Sequence, residues 1–180
     1  APKISYFICS NRRAGGTLLC DLLQQTNIAG YPAEYATPYP PTAAYRQEHI
    51  GATSDKEFIS KVLEASTTPN GVFGIKLHGY EIPTLLEKLG AEELVATTRV
   101  STVREIFEAR FPNLLYVWVL RKGKIKQAIS LYKALNSRVW WNFTYQPPMY
   151  KQIETPNTVF DYDFEKIKEC ESVAFYMKQL

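Results

Sequence analysis

Residues 6–23 read YFICSNRRAGGTLLCDLL, and the fold turns on how this stretch divides. Residues 6–9 form a short apolar run of strand length, and from Thr17 onward Leu18, Leu19, Leu22 and Leu23 recur at helical spacing. The segment between them is therefore a strand-to-helix turn, and it holds Arg12, Arg13, Gly15 and Gly16. Two adjacent glycines let the backbone come close to a ligand. The free amides of a helix's first turn, together with its dipole, favour an anion there.

Working outward, the stretch AGYPAEYATPYPPTAAYRQEH after the first helix carries Pro32, Pro38, Pro40 and Pro41 among four tyrosines, which breaks any regular element. A loop of this length within a domain is a candidate substrate loop. Residues 54–66 predict a helix opened by a Ser54 cap, with Glu57 at capping-box spacing. VFGIKLH (72–78) is a second strand, EIPTLLEKL and STVREIFEARF are helices, the latter opening at a Ser101 cap, and LLYVWVL (114–120) is a third strand. KGKIKQAISLYKALNSRVWW supplies the next helix, and residues 161–179 a last amphipathic one. Continuous apolar strands separated by helices predict an α/β fold, a parallel sheet covered on both faces in three layers. Ligands in such sheets gather at the carboxyl ends of the strands, which here carry SNRRAGG, KLHG and RKGK.

The length of 180 residues fits a single domain, and 46% hydrophobic content supports a sizeable core. A formal charge of +3 is too mild to imply a nucleic-acid surface and suits a small anionic ligand. Cys9, Cys20 and Cys170 have no metal-ligand spacing; we read them as reduced and buried, in a cytoplasmic protein. No segment approaches a bilayer span. Val173, Phe175 and Met177 on the final helix offer a surface for a homodimer.

The opening turn lacks the parts of the nucleotide-triphosphatase P-loop, whose lysine reaches the terminal phosphates and whose hydroxyl holds magnesium. Gly16 precedes Thr17 where that lysine would stand, and Asn11, five residues before Gly16, is not glycine. The dinucleotide glycine pattern is missing as well. A second anion-suited cluster lies in VLRKGKIKQAIS, where Arg121 follows a strand and Ser130 lies in the next helix. A ligand with two separated phosphate groups would use both clusters.

RAGGTLLCDLL, AGYPAEY, TPNGVFGIKL and VLRKGKIKQAISLYKALNSRVWW, in this order, resemble the bacterial trehalose sulfotransferase family, including its lipopolysaccharide sulfotransferase-like relatives. The resemblance covers roughly residues 4–141. It implies a P-loop-like fold and transfer of a sulfuryl group from 3'-phosphoadenosine 5'-phosphosulfate (PAPS), without a metal, to a hydroxyl of a carbohydrate or glycolipid. It further implies that Arg13, Ala14, Gly15, Gly16 and Thr17 form the 5'-phosphosulfate loop, that Arg121 and Ser130 hold the 3'-phosphate, and that Glu34 is the general base. Arg12 is left peripheral. Members of that family run longer, so the resemblance also implies either a compact variant or a chain lacking the family's C-terminal part.

Sulfuryl transfer needs a base for the acceptor proton and positive charge or amide donors on the leaving phosphate, which these residue types supply. His78 in KLH competes with Glu34 as base, an arrangement similar to one in eukaryotic cytosolic sulfotransferases; we assign it an auxiliary or acceptor-contacting role. Lys76 is read most simply as a lysine snorkelling from a strand end, with an approach to the sulfuryl oxygens as the alternative. Arg138, Trp140, Trp141, Phe143 and Tyr145 suit stacking on a sugar or on adenine, or anchoring of the helix end. Two rival functions use the same features: a small-molecule kinase, against which the missing lysine argues, and a non-catalytic nucleotide-binding module.

Overall fold

The structure is a computed structural model, and it describes residues 1–38, 50–91, 100–137, 139–140 and 161–176. The chain divides into two compact units, residues 1–10 with 16–119, and residues 11–15 with 120–180.

The first unit is built on a parallel sheet of three strands, β1 (Ile4–Ser10), β2 (Val72–Leu77) and β3 (Leu114–Val119), in the order β2-β1-β3. Helix α1 (Gly16–Gln25) follows β1, α2 (Asp55–Ser66) precedes β2, and α3 (Ile82–Lys88) and α4 (Val100–Arg110) lie between β2 and β3. Strand alternation sorts β1 into two faces. Tyr6 and Ile8 pack with Leu19, Cys20 and Leu23 of α1. Phe7, on the opposite face, meets Phe107 of α4 and Phe111 edge-on at 5.2 and 4.9 Å, and Phe111 stacks on Phe73 of β2 at 5.5 Å. Helices thus cover both faces of the central strand, giving a three-layer α/β fold. The parallel register pairs Tyr6 with Gly74 and Ile8 with Lys76. Val72, Gly74 and Lys76 therefore share the α1 face, where Gly74 leaves room for the Tyr6 ring.

The second unit contains α5 (Lys124–Ser137) and α6 (Phe164–Tyr176). Ala128, Leu131 and Tyr132 of α5 bury against Cys170 of α6, with Trp140 and Ile167 packed alongside. The Tyr132 hydroxyl donates to the Asp161 carbonyl at 2.7 Å.

Several expectations are corrected. β3 was expected to be covered on both faces, but Leu115, Tyr116, Val117 and Trp118 are each 38–60% exposed, whereas β2, the other edge strand among the described residues, is buried. Ser54 makes no side-chain cap; the Glu57 carboxylate instead accepts from the Thr53 amide at 3.0 Å and its hydroxyl at 2.6 Å. Ser101 is not a cap either, since α4 already begins at Val100. Cys20 and Cys170 are buried as expected, but Cys9 is only partly so. Burial nevertheless pushes the Cys9 thiol up to about 11. Met177 and the Phe175 side chain lie outside the described residues.

Phe111, 2% exposed and in contact with the rings of Phe7 of β1 and Phe73 of β2, ties the two strands together. Phe111→Ala should cost about 3–5 kcal/mol, read as a lowered urea midpoint at unchanged slope.

Candidate active site

The sequence gives residues 29–38 no regular element, yet backbone hydrogen bonds lay them against β2. Tyr31 N donates to the Ser66 carbonyl, and Lys76 N donates to the Ala33 carbonyl, both at 3.0 Å. Gly30 makes this approach feasible. Its φ of +76° suits glycine, and a Cβ there would sit 2.9 Å from the Gly74 nitrogen. The Ser66 hydroxyl completes the seam by donating to the Tyr31 carbonyl at 2.9 Å, and Gln24 of α1 donates to the Pro32 carbonyl at 2.7 Å. With Ala33 fixed on Lys76, Glu34 is delivered to the end of β2.

There Glu34 forms an ion pair with Lys76 and lies 3.5 Å from His78 Nε2. Lys76 is 3% exposed and also donates to Thr17 Oγ1 at 2.9 Å. It does not snorkel: its place on the α1 face turns it inward, and Glu34 and Thr17 provide its partners. His78 Nδ1 is 2.5 Å from the Ser10 carbonyl oxygen, an acceptor, so that nitrogen carries a proton. The His78 amide donates to the buried Glu81 carboxylate at 2.7 Å, and its ring stacks on Tyr80 at 5.2 Å. Burial by itself raises the pKa of Glu34. The hydrogen bond from His78 and the charges of Lys76 and His78 outweigh that and hold the carboxyl well below the usual carboxylate range.

The second unit contains the turn itself. Arg13 has φ +61° and Gly15 φ +102°, so the turn passes twice through the left-handed region, a geometry that makes amide concavities for anions. Arg13 Nε donates to Ser130 Oγ at 2.9 Å, and its terminal nitrogen donates to the Trp140 carbonyl. Arg121 donates to the Arg13 carbonyl at 3.2 Å, and buried Gln127 donates to the Arg12 carbonyl at 2.7 Å. Burial, and after it the charge of Arg121, lowers the pKa of Arg13. Arg13 thus holds the Ser130 hydroxyl while Arg121 holds the Arg13 backbone, and among the described residues neither guanidinium has a carboxylate partner. Arg12 lies with its guanidinium 5.5 Å above the Trp140 ring.

The structure thus brings Glu34, His78, Lys76, Thr17 and Gly16 together in the first unit, and Arg13, Arg121 and Ser130 together in the second. Arg138, Trp141, Phe143 and Tyr145 lie outside the described residues. Sequence reading missed the ion pair of buried Lys76 with Glu34, the Glu81 support of His78 and the Gln127 brace. Only Lys76 left a signal, its place in the alternation Val72, Gly74, Lys76. Among the described residues no His, Cys, Asp and Glu cluster could hold a metal ion, and no helix is long and apolar enough to cross a membrane.

A parallel α/β sheet with a glycine turn leading into the helix after its central strand defines the P-loop-like class. Within it, the family model described as Stf0 sulphotransferase matches residues 5–175, and the chain belongs to that family. It is similar to the trehalose 2-sulfotransferase of Mycolicibacterium smegmatis, 24% identical over 158 residues that cover 76% of this chain and 58% of that protein. It is also similar to the trehalose 2-sulfotransferase of Mycobacterium tuberculosis, 26% identical over 157 residues that cover 75% of this chain and 58% of that protein. The alignments thus span less than two thirds of these relatives' length.

Because Glu34 ionises more readily folded than unfolded, its interactions stabilise the protein above the ordinary carboxylate value of 4.5 and fade as pH falls below it. The gap in urea midpoint between the wild type and Glu34→Gln should therefore narrow from neutral to acid pH. An equal gap at both would show that Glu34 is not held ionised.

Proposed function

We propose that the chain is a single sulfotransferase-like domain that transfers a sulfuryl group from PAPS to a hydroxyl of a carbohydrate or glycolipid, in the cytoplasm. The observation that carries this reading is the half-buried Glu34 carboxylate, paired with Lys76 and 3.5 Å from His78 Nε2, in a chain of the Stf0 sulphotransferase family. Trehalose, on which the two named relatives act, is the first acceptor to assay.

In the proposed reaction the acceptor oxygen attacks sulfur in line while its proton passes to the Glu34 carboxylate. The bond between sulfur and the bridging oxygen of the 5'-phosphate breaks, and its electron pair remains on that phosphate. The products are a sulfate ester and 3',5'-adenosine bisphosphate. Arg13, the amides of Ala14, Gly15 and Gly16, and the Thr17 hydroxyl serve the leaving phosphosulfate. Arg121 and Ser130 serve the 3'-phosphate, the planar guanidinium offering paired donors to its oxygens. His78 assists by orienting Glu34 and contacting the acceptor. No step requires a metal.

Calorimetric titration with 3',5'-adenosine bisphosphate, against 5'-adenosine monophosphate and magnesium ATP, tests the donor assignment. Binding should depend on the 3'-phosphate and weaken about tenfold or more in Arg121→Ala. Glu34→Gln should instead lower turnover about 10²–10⁴-fold with an identified acceptor. Preference for magnesium ATP, with its hydrolysis, would replace the reading with that of a kinase.

A further inference from the structure

In a P-loop the residue before the Ser/Thr is the lysine that grips the ligand's phosphates. Here that residue is Gly16, and the first unit shows what occupies the space of the missing side chain. A Cβ on Gly16 would lie 2.9 Å from Lys76 Cε and 2.5 Å from Ser10 Oγ. The Lys76 ammonium then reaches the Thr17 hydroxyl at 2.9 Å. A lysine from β2 thus enters the position that a lysine at residue 16 would fill, and the absence of a side chain at Gly16 leaves room for it. The head of α1 has a second feature suited to an anion. Ser10 Oγ is buried in a residue only 7% exposed and has no hydrogen-bond partner. Its hydroxyl lies against Gly16 and can donate to an oxygen bound at the first amides of α1.

We propose that Lys76 is the anion-gripping lysine of this site, supplied from β2 rather than from the turn, and that it exchanges between Glu34 and the phosphosulfate oxygens at Gly16 and Thr17. This deepens the sulfotransferase reading and rests on it. Without donor, the ammonium is satisfied by Glu34 and Thr17, and the carboxylate, tied to its cation, is a poor base. When sulfuryl or phosphate oxygens reach the head of α1, they compete with Glu34 for the same ammonium. Lys76 then neutralises charge that grows on the leaving phosphate. Glu34 keeps His78 as its neighbour and becomes free to take the acceptor proton. Donor binding and activation of the base are one event because a single cation serves both anions.

The exchange makes a prediction that a merely structural lysine does not. Glu34→Gln removes the competitor, so it should tighten binding of adenosine 3',5'-bisphosphate about threefold or more while leaving adenosine 3'-monophosphate, which lacks the 5'-phosphate, within twofold. Lys76→Met should weaken the bisphosphate about tenfold or more and again spare the 3'-monophosphate. If Lys76→Met does not fold, Glu34→Gln/Lys76→Met removes both charges of the pair together and should show the same loss of discrimination. Calorimetry on the full chain reads each value. Discrimination unchanged in all variants, or both nucleotides altered together, overturns the Lys76 assignment while leaving the donor site standing. A wild-type protein that binds neither nucleotide overturns the sulfotransferase reading and this one with it.

Discussion

A charged lysine that is 3% exposed needs an anion beside it, because an unpaired charge in that setting costs several kcal/mol. Glu34 is that anion, and much of the first unit is arranged to bring it there. The Lys76 amide holds the Ala33 carbonyl, Gly30 lies close against Gly74, and Ser66 holds Tyr31, so three separate contacts fix a segment without regular structure. The pair's contribution lies less in net stability than in position. It fixes a carboxylate within reach of an imidazole and a lysine at the head of a helix.

The sheet makes that placement possible. Parallel pairing of β1 with β2 puts Lys76 level with Ile8, on the face that α1 covers. A shift of one residue would turn Lys76 toward the aromatic face of Phe7, Phe73 and Phe111 and away from Glu34 and Thr17. The same register brings the Ser10 carbonyl to His78, so the core that stabilises the fold also orients the imidazole. Glu81 holds the His78 backbone from the other direction.

The second unit satisfies its basic residues differently. Arg13 and Arg121 approach one another, with hydrogen bonds to Ser130, to the Trp140 carbonyl and to the carbonyl of Arg13 itself. Neutral acceptors position guanidinium groups without cancelling their charge, so the local potential stays positive and favours an anionic ligand. Gln127, buried beneath the turn, holds the Arg12 carbonyl and so supports this geometry by a contact that carries no charge.

The sequence by itself determined the elements and the turn. Apolar runs of strand length at 6–9, 72–78 and 114–120, alternating with helical periodicity, specify a parallel α/β sheet because few other arrangements bury such strands. Adjacent Gly15 and Gly16 mark a turn, and Gly15 takes the left-handed conformation that favours glycine; ordered blocks of residues carried the family resemblance. The edge position of β3 was not legible, since an apolar strand reads alike at the centre and at the margin of a sheet. Nor was the state of Glu34. In sequence it is a loop carboxylate 42 residues from Lys76, and only the hydrogen bonds between residues 31–33 and their neighbours across the fold make the two a pair. Likewise Gly16 reads as a missing lysine until the structure shows Lys76 filling its space. Local pattern specifies what each segment becomes, whereas the partner of a buried charge is set by which segments the sheet register brings together.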